Sequence, residues 1–475
     1  MKVVVIGGGF AGHTAALYTK MWLGDRHDVT VVSDRSYFQY TPSLVWVGVG
    51  TMAAEKTYFP LAPIYKRRGI HFVNQRAVAV NVEGKKITVQ DGTQLDYDYV
   101  VFATGPHLNF SGTPGLGPNA GQTVSICTAD HATHARDAYF SCVAKMERGE
   151  KQTFVIGTGH ASATCQGAAF EYIHNIHNDL TRRHLRDKCE LIWFTNEPYA
   201  GDFGMGGIIG NFAGAKRNSG ELVKWLMRDC GITIVDSAAP MKIDSNTLHW
   251  ENTRQEEGAI RFDFSMLIPQ FLGSKISYVN NAGEDMSDKV CNPAGFIKVD
   301  ADYTSGAKPM ADWSASDWPT TYQSPFSPSI FAAGIAFAPP HPISPPSGTT
   351  KSGVKIHAAP PRTGMTSGII GKVVAENVTA LVKGEKKPPV QLSMSQIPAA
   401  CIASLNKSIV TGSAMTMVLT PAVPDYSTYP KEDGGRNLKQ TFFDLGKGGA
   451  WLKRALHTGF MYKFKGNPGW TVIPE

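Results

Sequence analysis

The sequence predicts an α/β protein with two Rossmann-like dinucleotide-binding domains and a C-terminal membrane-associated region. Three patterns predict this class: a glycine-rich turn after the first strand, a second such turn near the middle of the chain, and a tail that mixes basic and large apolar residues. The 475 residues, 42% of them hydrophobic, are enough to build two or three domains with a substantial core.

The first pattern lies at the amino terminus, where a run of β-branched residues ends in Gly7, Gly9 and Gly12. A strand, a Gly-x-Gly-x-x-Gly turn and a helix in this order hold the pyrophosphate of a dinucleotide. Gly7 permits the tight turn, Gly9 lets the backbone approach the phosphates, and Gly12 lets the helix pack against the strand. The alternative is a glycine-rich turn without a ligand, and the flanking strand and helix favour the nucleotide.

Further turns indicate which dinucleotide binds. The next strand ends at Ser33-Asp34-Arg35, where Asp34 is the best candidate to accept a hydrogen bond from a ribose hydroxyl. Two later strands end in small-residue turns, which contain Thr104 and Gly105 in the first and Gly334 and Ile335 in the second. Two-dinucleotide flavoproteins place such turns against the flavin nucleotide. Their order predicts FAD, held by a domain made from both ends of the chain.

Composition argues against several other classes. The net charge is only +6, and no cluster of basic and aromatic residues is typical of a nucleic-acid binder, so we expect no nucleic acid. The first strand starts at residue 2, which leaves no room for a secretory signal, and no apolar run of about 20 residues is present to span a bilayer. We therefore expect a peripheral, monotopic protein on the cytoplasmic membrane. The seven cysteines fit neither a disulfide framework nor a zinc site.

The second glycine turn, in the middle of the chain, is incomplete. Gly157 and Gly159 follow a strand, but Ser162 stands where the third glycine belongs. This departure argues against a working nicotinamide site. Cys165 follows at the expected head of a helix, where unpaired backbone N–H groups and the helix dipole stabilise a thiolate. The alternative is a buried cysteine that packs as a small hydrophobe.

Two other side chains are candidates for proton transfer. Cys127 precedes a segment that reads as a helix from Thr128, which places His131 about one turn away from the thiol. Glu171 lies six residues after Cys165 in a helix-like stretch. For both His131 and Glu171, the alternative is a solvated surface side chain.

These motifs together resemble the sulfide:quinone oxidoreductase family of membrane-bound flavoproteins. The resemblance covers nearly the whole chain and is carried by GGGFAG, SDRSYFQYTPSLVWVGVG, ATGP, SICTADHA, VIGTGHASATCQGAAFEY, FAAGIAFAPP and PPRTG. In that family sulfide is oxidised at a cysteine pair beside FAD, the sulfur leaves as polysulfide, and two electrons pass through the flavin to quinone. The resemblance therefore implies sulfide as substrate and a membrane quinone as electron acceptor.

The resemblance also assigns residues and reveals departures. By motif, Cys127 and Cys165 match the family's first and second cysteines, and His131 and Glu171 match its histidine and its acidic residue. The segment Arg362-Thr363-Gly364 matches a Lys-Thr-Gly that approaches the flavin ring. Many members have a third cysteine where this chain has Ala336, and a family histidine is replaced by Asp202. Of the other five cysteines, Cys291 and Cys401 lie in motifs that read as structural.

Two sulfur mechanisms and several functions stay open. Hydrosulfide could open a bridge between Cys127 and Cys165, or Cys165 could act with Cys127 only tethering or neighbouring the flavin. Alternative functions are the flavoprotein subunit of a flavocytochrome c type sulfide dehydrogenase, and a redox-silent flavoprotein that binds a sulfur species or a membrane partner. Ser162 disfavours an NADH:quinone oxidoreductase. Family members often form homo-oligomers, and nothing in this chain decides that point.

The expected domain order follows from these assignments. Residues 1–115 and 301–375 would form the FAD-binding domain, 116–300 the second Rossmann-like domain, and 376–475 the quinone and membrane-interaction region. In the tail, basic residues alternate with large apolar ones: Lys447, Lys453, Arg454, Lys463 and Lys465 with Phe442, Phe443, Trp451, Leu452, Leu456, Phe460, Met461 and Phe464. Such a mixture suits a helix in the lipid headgroup region, and the alternative is a helix packed on its own domain.

Overall fold

The first third of the chain forms a parallel sheet and its covering elements. The computed structural model describes residues 1–119, 121–361, 363–406 and 410–475. The elements up to residue 109 are β1 (Lys2–Ile6), α1 (Phe10–Leu23), β2 (Asp28–Val32), β3 (Tyr37–Gln39), α2 (Leu44–Gly48), β4 (Tyr58–Pro60), α3 (Ala62–Arg68), β5 (His71–Val73), β6 (Ala77–Asn81), β7 (Lys86–Val89), β8 (Gln94–Asp96), β9 (Tyr99–Phe102) and β10 (His107–Asn109).

The middle of the chain builds a second parallel sheet. Its elements are α4 (Ala129–Glu147), β11 (Gln152–Thr158), α5 (Gln166–Arg182), β12 (Cys189–Phe194), β13 (Ile209–Phe212), β14 (Ala215–Asn218), α6 (Ser219–Asp229), β15 (Ile232–Val235), β16 (Ala238–Asp244), β17 (Thr247–Asn252), β18 (Glu257–Arg261), β19 (Phe264–Ile268), β20 (Gln270–Leu272), β21 (Ser277–Val279) and α7 (Ser287–Val290). The strand order in this sheet is β15-β12-β11-β19.

The last third returns to the first sheet and then adds a sheet of its own. Its elements are β22 (Ile330–Ala332), β23 (Gly348–Thr349), β24 (Lys355–Ile356), α8 (Gly364–Val382), β25 (Ala399–Asn406), β26 (Ser413–Leu419), β27 (Phe442–Gly446) and α9 (Lys447–Phe464). The first sheet has the order β22-β9-β1-β2-β5, so both ends of the chain contribute to it.

Sequence explains why these sheets are parallel and buried. Strand β1 is a continuous apolar run of which residues 3–6 are buried, as expected for a strand covered on both faces. In each parallel sheet the first strand is followed by a glycine turn and a helix, α1 after β1 and α5 after β11. The two predicted Rossmann-like domains are therefore confirmed, whereas their exact boundaries stay a prediction.

The third sheet joins the C-terminal region to the second domain. Its order is β14-β13-β27-β26-β25, so two of its five strands come from residues 209–218. Strand β25 packs along α5, where Asn175 and Asn178 donate hydrogen bonds to the carbonyls of Ser404 (2.6 Å) and Leu405 (2.9 Å). The C-terminal strands therefore lie against the helix that follows the second glycine turn.

The tail differs from the expected interfacial helix. Residues 442–446 form a strand, and the helix α9 that follows has a buried side. Lys453 and Lys463 are buried in ion pairs with Glu171 and Glu475, while Phe443, Met461 and Phe464 belong to the core. These five side chains pack inside the protein, so the prediction that they face lipid is wrong. No helix in the described residues is long and apolar enough to cross a membrane.

Candidate functional site

The first glycine turn is shaped by two close approaches and one opening. Gly7 has a φ of +114°, and a Cβ placed on it would lie 2.1 Å from the carbonyl oxygen of Ala103. A Cβ on Gly12 would lie 2.0 Å from the carbonyl oxygen of Gly7. At Gly9, by contrast, no atom lies within 4 Å of the Cβ position. The turn is thus fixed by Gly7 and Gly12 and is open at Gly9. This opening fits a pyrophosphate at the N-terminus of α1.

The end of β2 offers the groups expected to hold a ribose. The Ser33 hydroxyl donates to the carbonyl of Arg35 (3.0 Å) and accepts from its N–H (3.2 Å), which fixes the loop. The side chain of Asp34 is 53% exposed, and its Oδ2 lies 3.5 Å from the Arg76 guanidinium. Asp34 is therefore accessible to a ligand, and the ribose contact itself stays a prediction.

A second helix N-terminus lies beside the first. A Cβ on Gly364, at the start of α8, would be 3.0 Å from the ring of Phe10 at the start of α1. Thr363 is the N-cap residue of α8. Because both helix N-termini carry partial positive charge, this region favours the negative groups of a dinucleotide. The neighbouring Arg362 lies outside the described residues.

The two small-residue turns lie at the ends of neighbouring strands. Thr104 and Gly105 follow β9, and Gly334 and Ile335 follow β22, which pairs with β9. Gly334 has a φ of +64°, and a Cβ on it would lie 2.8 Å from the Cβ of Ala11 in α1. The sequence motifs assigned to FAD thus converge around the start of α1, and the residues present fit that cofactor.

Two cysteines from different elements lie at the head of the helix that follows the second glycine turn. Cys165 is the N-cap residue of α5, as predicted, and adopts the left-handed backbone conformation with φ +66°. Cys401, on β25, has its Sγ 3.5 Å from the position that a Cβ on Gly167 would take in the first turn of α5. Burial raises the pKa of the Cys401 thiol to about 11, and the nearby Lys453 opposes this shift.

Cys401, which its sequence motif predicts to be structural, is therefore a candidate site residue. It lies beside the helix N-terminus that Cys165 caps, because strand β25 packs along α5. No motif around Cys401 in the sequence reveals this contact, because it joins two elements that are distant in the chain.

Glu171 lies one turn further along α5, in a closed polar cluster. Its carboxylate pairs with the Lys453 ammonium and accepts a hydrogen bond from the Ser404 hydroxyl. Lys453 also donates to the carbonyl of Ile402 (2.9 Å), and the Trp46 indole N–H donates to Ser404 (2.9 Å). Burial raises the pKa of Glu171, and the Lys453 charge opposes the rise. The alternative of an exposed helix carboxylate is wrong.

Cys127 and His131 lie at the start of α4, which begins at Ala129 with Thr128 as its N-cap. Gln39 donates to the Cys127 carbonyl (3.3 Å) and accepts from the Ala129 N–H (2.9 Å), so the YFQY motif positions this corner. Burial raises the pKa of the Cys127 thiol and lowers that of His131.

The positive charge of Arg35 lowers the pKa of both the Cys127 thiol and the His131 imidazole, in opposition to burial at Cys127 and together with burial at His131. It favours the Cys127 thiolate, and it disfavours a second positive charge on His131. The hydrogen bonds described for Cys127 are made with Gln39 and Ser125, whereas Cys401 pairs with Met417 on β26 and approaches the first turn of α5. The catalytic roles of Cys127 and His131 stay predictions.

Two fully buried carboxylates lie in the loop after β12. Glu197 accepts hydrogen bonds from the N–H groups of Gly201 (3.2 Å) and Phe203 (2.6 Å), and burial raises its pKa to about 8. Asp202 accepts from the Ser344 hydroxyl (2.6 Å) and the Gly204 N–H (3.0 Å), and burial raises its pKa to about 6. Both acids are poised to titrate near neutral pH.

Comparison with known proteins places this geometry in a class. Residues 1–188 match the pyridine nucleotide-disulphide oxidoreductase family. The sulfide-quinone reductase of Aquifex aeolicus (strain VF5) is 28% identical over 466 residues, which cover 98% of this chain and 91% of the relative. The crystal structure of the sulfide:quinone oxidoreductase from the same species superposes with a TM-score of 0.79, at 27% identity, and covers 99% of this chain and 93% of that one.

A more distant structure shows how widely the fold is shared. The NDH2 of Plasmodium falciparum in complex with NADH has a TM-score of 0.64 at 12% identity, and the match covers 99% of this chain and 96% of that one. At this identity the comparison shows the fold alone.

The fold and the match over residues 1–188 indicate an oxidoreductase similar to the pyridine nucleotide-disulphide oxidoreductases. Within that class, the chain is a homologue of the sulfide-quinone reductases over nearly its full length. This relationship confirms the prediction that the cofactor is FAD.

Proposed function

We propose that the protein is an FAD-dependent sulfide:quinone oxidoreductase. The observation that carries the proposal is the approach of Cys401 to the first turn of α5, which Cys165 caps. A helix N-terminus stabilises a thiolate, and exchange chemistry needs one attacking and one leaving thiolate. The full-length homologues support the same reaction.

In the proposed reaction, Cys165 and Cys401 form the redox pair in place of the Cys127–Cys165 pair. Both cysteines are free thiols in the structure, and the reaction would start from their disulfide, which forms when they lose two protons and give two electrons to bound FAD. Hydrosulfide attacks that disulfide, so one S–S bond breaks while a new one forms to the incoming sulfur. The products are a persulfide on one cysteine and a thiolate on the other, and the two electrons from sulfide remain on these sulfurs. FAD, when bound, supplies the two-electron acceptor that passes electrons to quinone. When the persulfide and the thiolate give two electrons to bound FAD and lose one proton, they would close a trisulfide between Cys165 and Cys401. A second hydrosulfide would open this trisulfide and leave two extra sulfur atoms on one cysteine. The thiolate of the other cysteine would then attack the Sγ of that cysteine, so that the disulfide re-forms and HSS−, the shortest polysulfide, leaves.

The polar cluster behind the cysteines would serve the quinone step. Quinone reduction consumes two protons, and Glu171 is a buried acid whose pKa is raised by burial. Lys453 holds its charge in place from the tail helix α9. We assign Glu171 the role of taking up a proton and passing it to the quinone, with Lys453 as the positioning residue that pairs with the ionised carboxylate between these two steps. Cys127 and His131 are assigned to the flavin side of the site, where they adjoin Arg35.

Membrane contact would come from the exposed side of α9. Trp451 and Leu452 are 56% and 46% exposed, Tyr462 of the same helix is also exposed, and so is Phe442 in the preceding strand β27. Apolar and aromatic side chains on the outer face of a helix suit the headgroup region, from which a lipid-soluble quinone would enter. Both cysteines come from one chain, so the chemistry does not require a homo-oligomer.

The test follows the flavin absorbance of the purified holoenzyme under anaerobic conditions, first with sulfide and then with a soluble quinone. Wild type and Cys142→Ser, which changes a buried cysteine of α4, should bleach with sulfide and recover with quinone. Cys165→Ser and Cys401→Ser should lose bleaching. Wild-type flavin that stays oxidised would rule out the reaction and favour the redox-silent alternative. Bleaching that survives in Cys401→Ser but not in Cys165→Ser would favour a single-cysteine mechanism.

A further inference from the structure

A loop of the chain crosses the C-terminal edge of the second parallel sheet. Residues 344–360, which we call the crossing segment, include the short hairpin β23–β24. One leg is hydrogen bonded to the turn that follows β11. The His357 N–H donates to the carbonyl of Ala161 (3.1 Å), and the Ala359 N–H donates to that of Ala163 (3.1 Å).

The same leg continues to the head of α5. The Thr164 hydroxyl donates to the carbonyl of Pro360 (2.9 Å), one residue before Cys165. Ile356 is fully buried and packs with Ala161 and Ala239 in a small apolar cluster. The contact is therefore both hydrogen bonded and apolar, as in a folded core.

The other leg is held at the end of β12. The Ser347 hydroxyl donates to the carbonyl of Asn196 (2.7 Å), two residues beyond the last residue of that strand. The Asn196 amide in turn donates to the carbonyls of Ala161 (3.1 Å) and Ala163 (3.0 Å). The crossing segment thus spans the crevice between the ends of β11 and β12.

That crevice is where a Rossmann domain binds a dinucleotide. The pyrophosphate lies on the turn after the first strand and at the head of the helix, and the ribose lies at the end of the second strand. An acidic residue there would accept the ribose hydroxyls. In this chain the nearest one, Glu197, is fully buried and accepts hydrogen bonds from Gly201, Phe203 and Thr195.

We propose that the crossing segment is a built-in plug that occupies the second dinucleotide site and excludes nicotinamide nucleotides as electron donors. A nucleotide would have to displace Ser347, Ile356 and His357 together, because these residues fill the turn, the apolar cluster and the strand end. The class of fold offers a nicotinamide site, and this chain closes it with its own backbone. The plug would decide donor specificity whether or not sulfide is the substrate, so it does not depend on the proposed function.

The test distinguishes the effect of the plug on NAD+ binding from the effect of the missing third glycine at Ser162. Two variants are compared: Ser162→Gly alone, and Ser162→Gly with residues 347–357 replaced by a Gly/Ser stretch of equal length. Binding of radiolabelled NAD+ to each holoenzyme is measured by equilibrium dialysis. We expect the dissociation constant of the second variant to be at least about tenfold lower, since apparent affinity scales with the fraction of open sites. FAD content and thermal melting report whether each variant is folded.

Three outcomes would overturn the plug. Ser162→Gly alone could bind NAD+ as tightly as the loop variant, the loop variant could fail to bind while folded, or wild type could itself bind NAD+ at micromolar concentration. If the Gly/Ser replacement does not fold, Ser162→Gly combined with Ser347→Gly and Ile356→Gly loosens the same contacts, and its NAD+ affinity should exceed that of Ser162→Gly. Sulfide bleaching, measured on the same samples, reports on the proposed function separately.

Discussion

Glu171 on α5 and Lys453 on α9 form an ion pair in which each side chain is only 7% exposed, although the residues are 282 positions apart in the sequence. The Lys453 ammonium also lies 5.5 Å from the ring of Trp46. The pair ties the tail helix to the helix that Cys165 caps. Breaking a buried pair by removing one partner is far more destabilising than replacing both, because a lone buried charge remains.

Lys453→Met should therefore lower the free energy of unfolding by about 3–5 kcal/mol, because it leaves the Glu171 carboxylate buried without its cation. Lys447→Met, at an exposed position of the same helix, should change it by less than about 0.5 kcal/mol. The double variant Glu171→Leu/Lys453→Met should regain part of the loss. Equilibrium denaturation measures all three, and equal effects of the two lysine variants would contradict a buried ion pair.

Glu171→Gln tests the proton role with little change in shape. Because it also removes the counter-charge of buried Lys453, thermal melting must first show that the variant is folded. The amide oxygen still accepts from Lys453, but the side chain no longer holds a titratable proton. We expect flavin reoxidation by quinone to slow by about 10²-fold or more, the usual scale for loss of an acid–base group. Bleaching by sulfide should be unchanged. Stopped-flow absorbance measures both phases, with Glu190→Gln as the exposed control, and an unaltered quinone phase would exclude the role.

The glycine turn gives a pair of substitutions that separate cofactor binding from folding. Gly9→Ala adds a methyl group where no atom lies within 4 Å, so the apoprotein should melt within a few degrees of wild type. Its affinity for FAD should fall by at least about tenfold, because the phosphates need that space. Gly12→Ala should instead destabilise the apoprotein, since its Cβ would clash with the Gly7 carbonyl. Flavin fluorescence titration and thermal melting distinguish the two, and similar melting of both variants would contradict this geometry.

The features that could be predicted from sequence are local ones. The glycine turn at Gly7–Gly12, the helix start at Thr128 and the position of Cys165 at the head of α5 each depend on residues close together in the chain. Those short-range signals fix a turn or a helix end regardless of the rest of the fold.

The features that were missed depend on contacts between distant elements. Cys401 reaches α5 only because β25 packs along that helix, and no motif around Cys401 records this. Lys453 and Lys463 have the spacing of cations at a lipid surface, yet they are buried because Glu171 and Glu475 lie opposite them. Alternation of basic and apolar residues could not reveal partners contributed by other parts of the chain.

The exposed side of α9 should bind membranes. Trp451→Ser/Leu452→Ser should reduce the fraction of holoenzyme that sediments with anionic lipid vesicles by several-fold, because both side chains are exposed and apolar. The control is Trp225→Ser, which removes a tryptophan of α6 that is 45% exposed. Equal losses in the two variants would mean that general surface hydrophobicity, and not this helix, governs the interaction.

Burial of Glu197 makes stability depend on pH in a specified direction. Its pKa is raised from 4.5 to about 8, so between these values the folded state holds a proton that the unfolded chain releases. The free energy of unfolding should therefore fall by about 1.4 kcal/mol per pH unit over this window from this group alone. The stabilisation of the folded state by protonated Glu197 is fully present below pH 4.5 and is lost as the pH rises through 8.

Glu197→Gln isolates this effect, because its amide oxygen can still accept from the Gly201 and Phe203 N–H groups, although the hydrogen bond that the Thr195 hydroxyl donates to the carboxylate is lost. We expect the variant to lose less stability than wild type between pH 5 and pH 8. Denaturation series at several pH values measure the difference in slope, with Glu190→Gln as the exposed control. Parallel slopes in wild type and Glu197→Gln would show that Glu197 is ionised throughout and that its burial is compensated by the surrounding N–H groups.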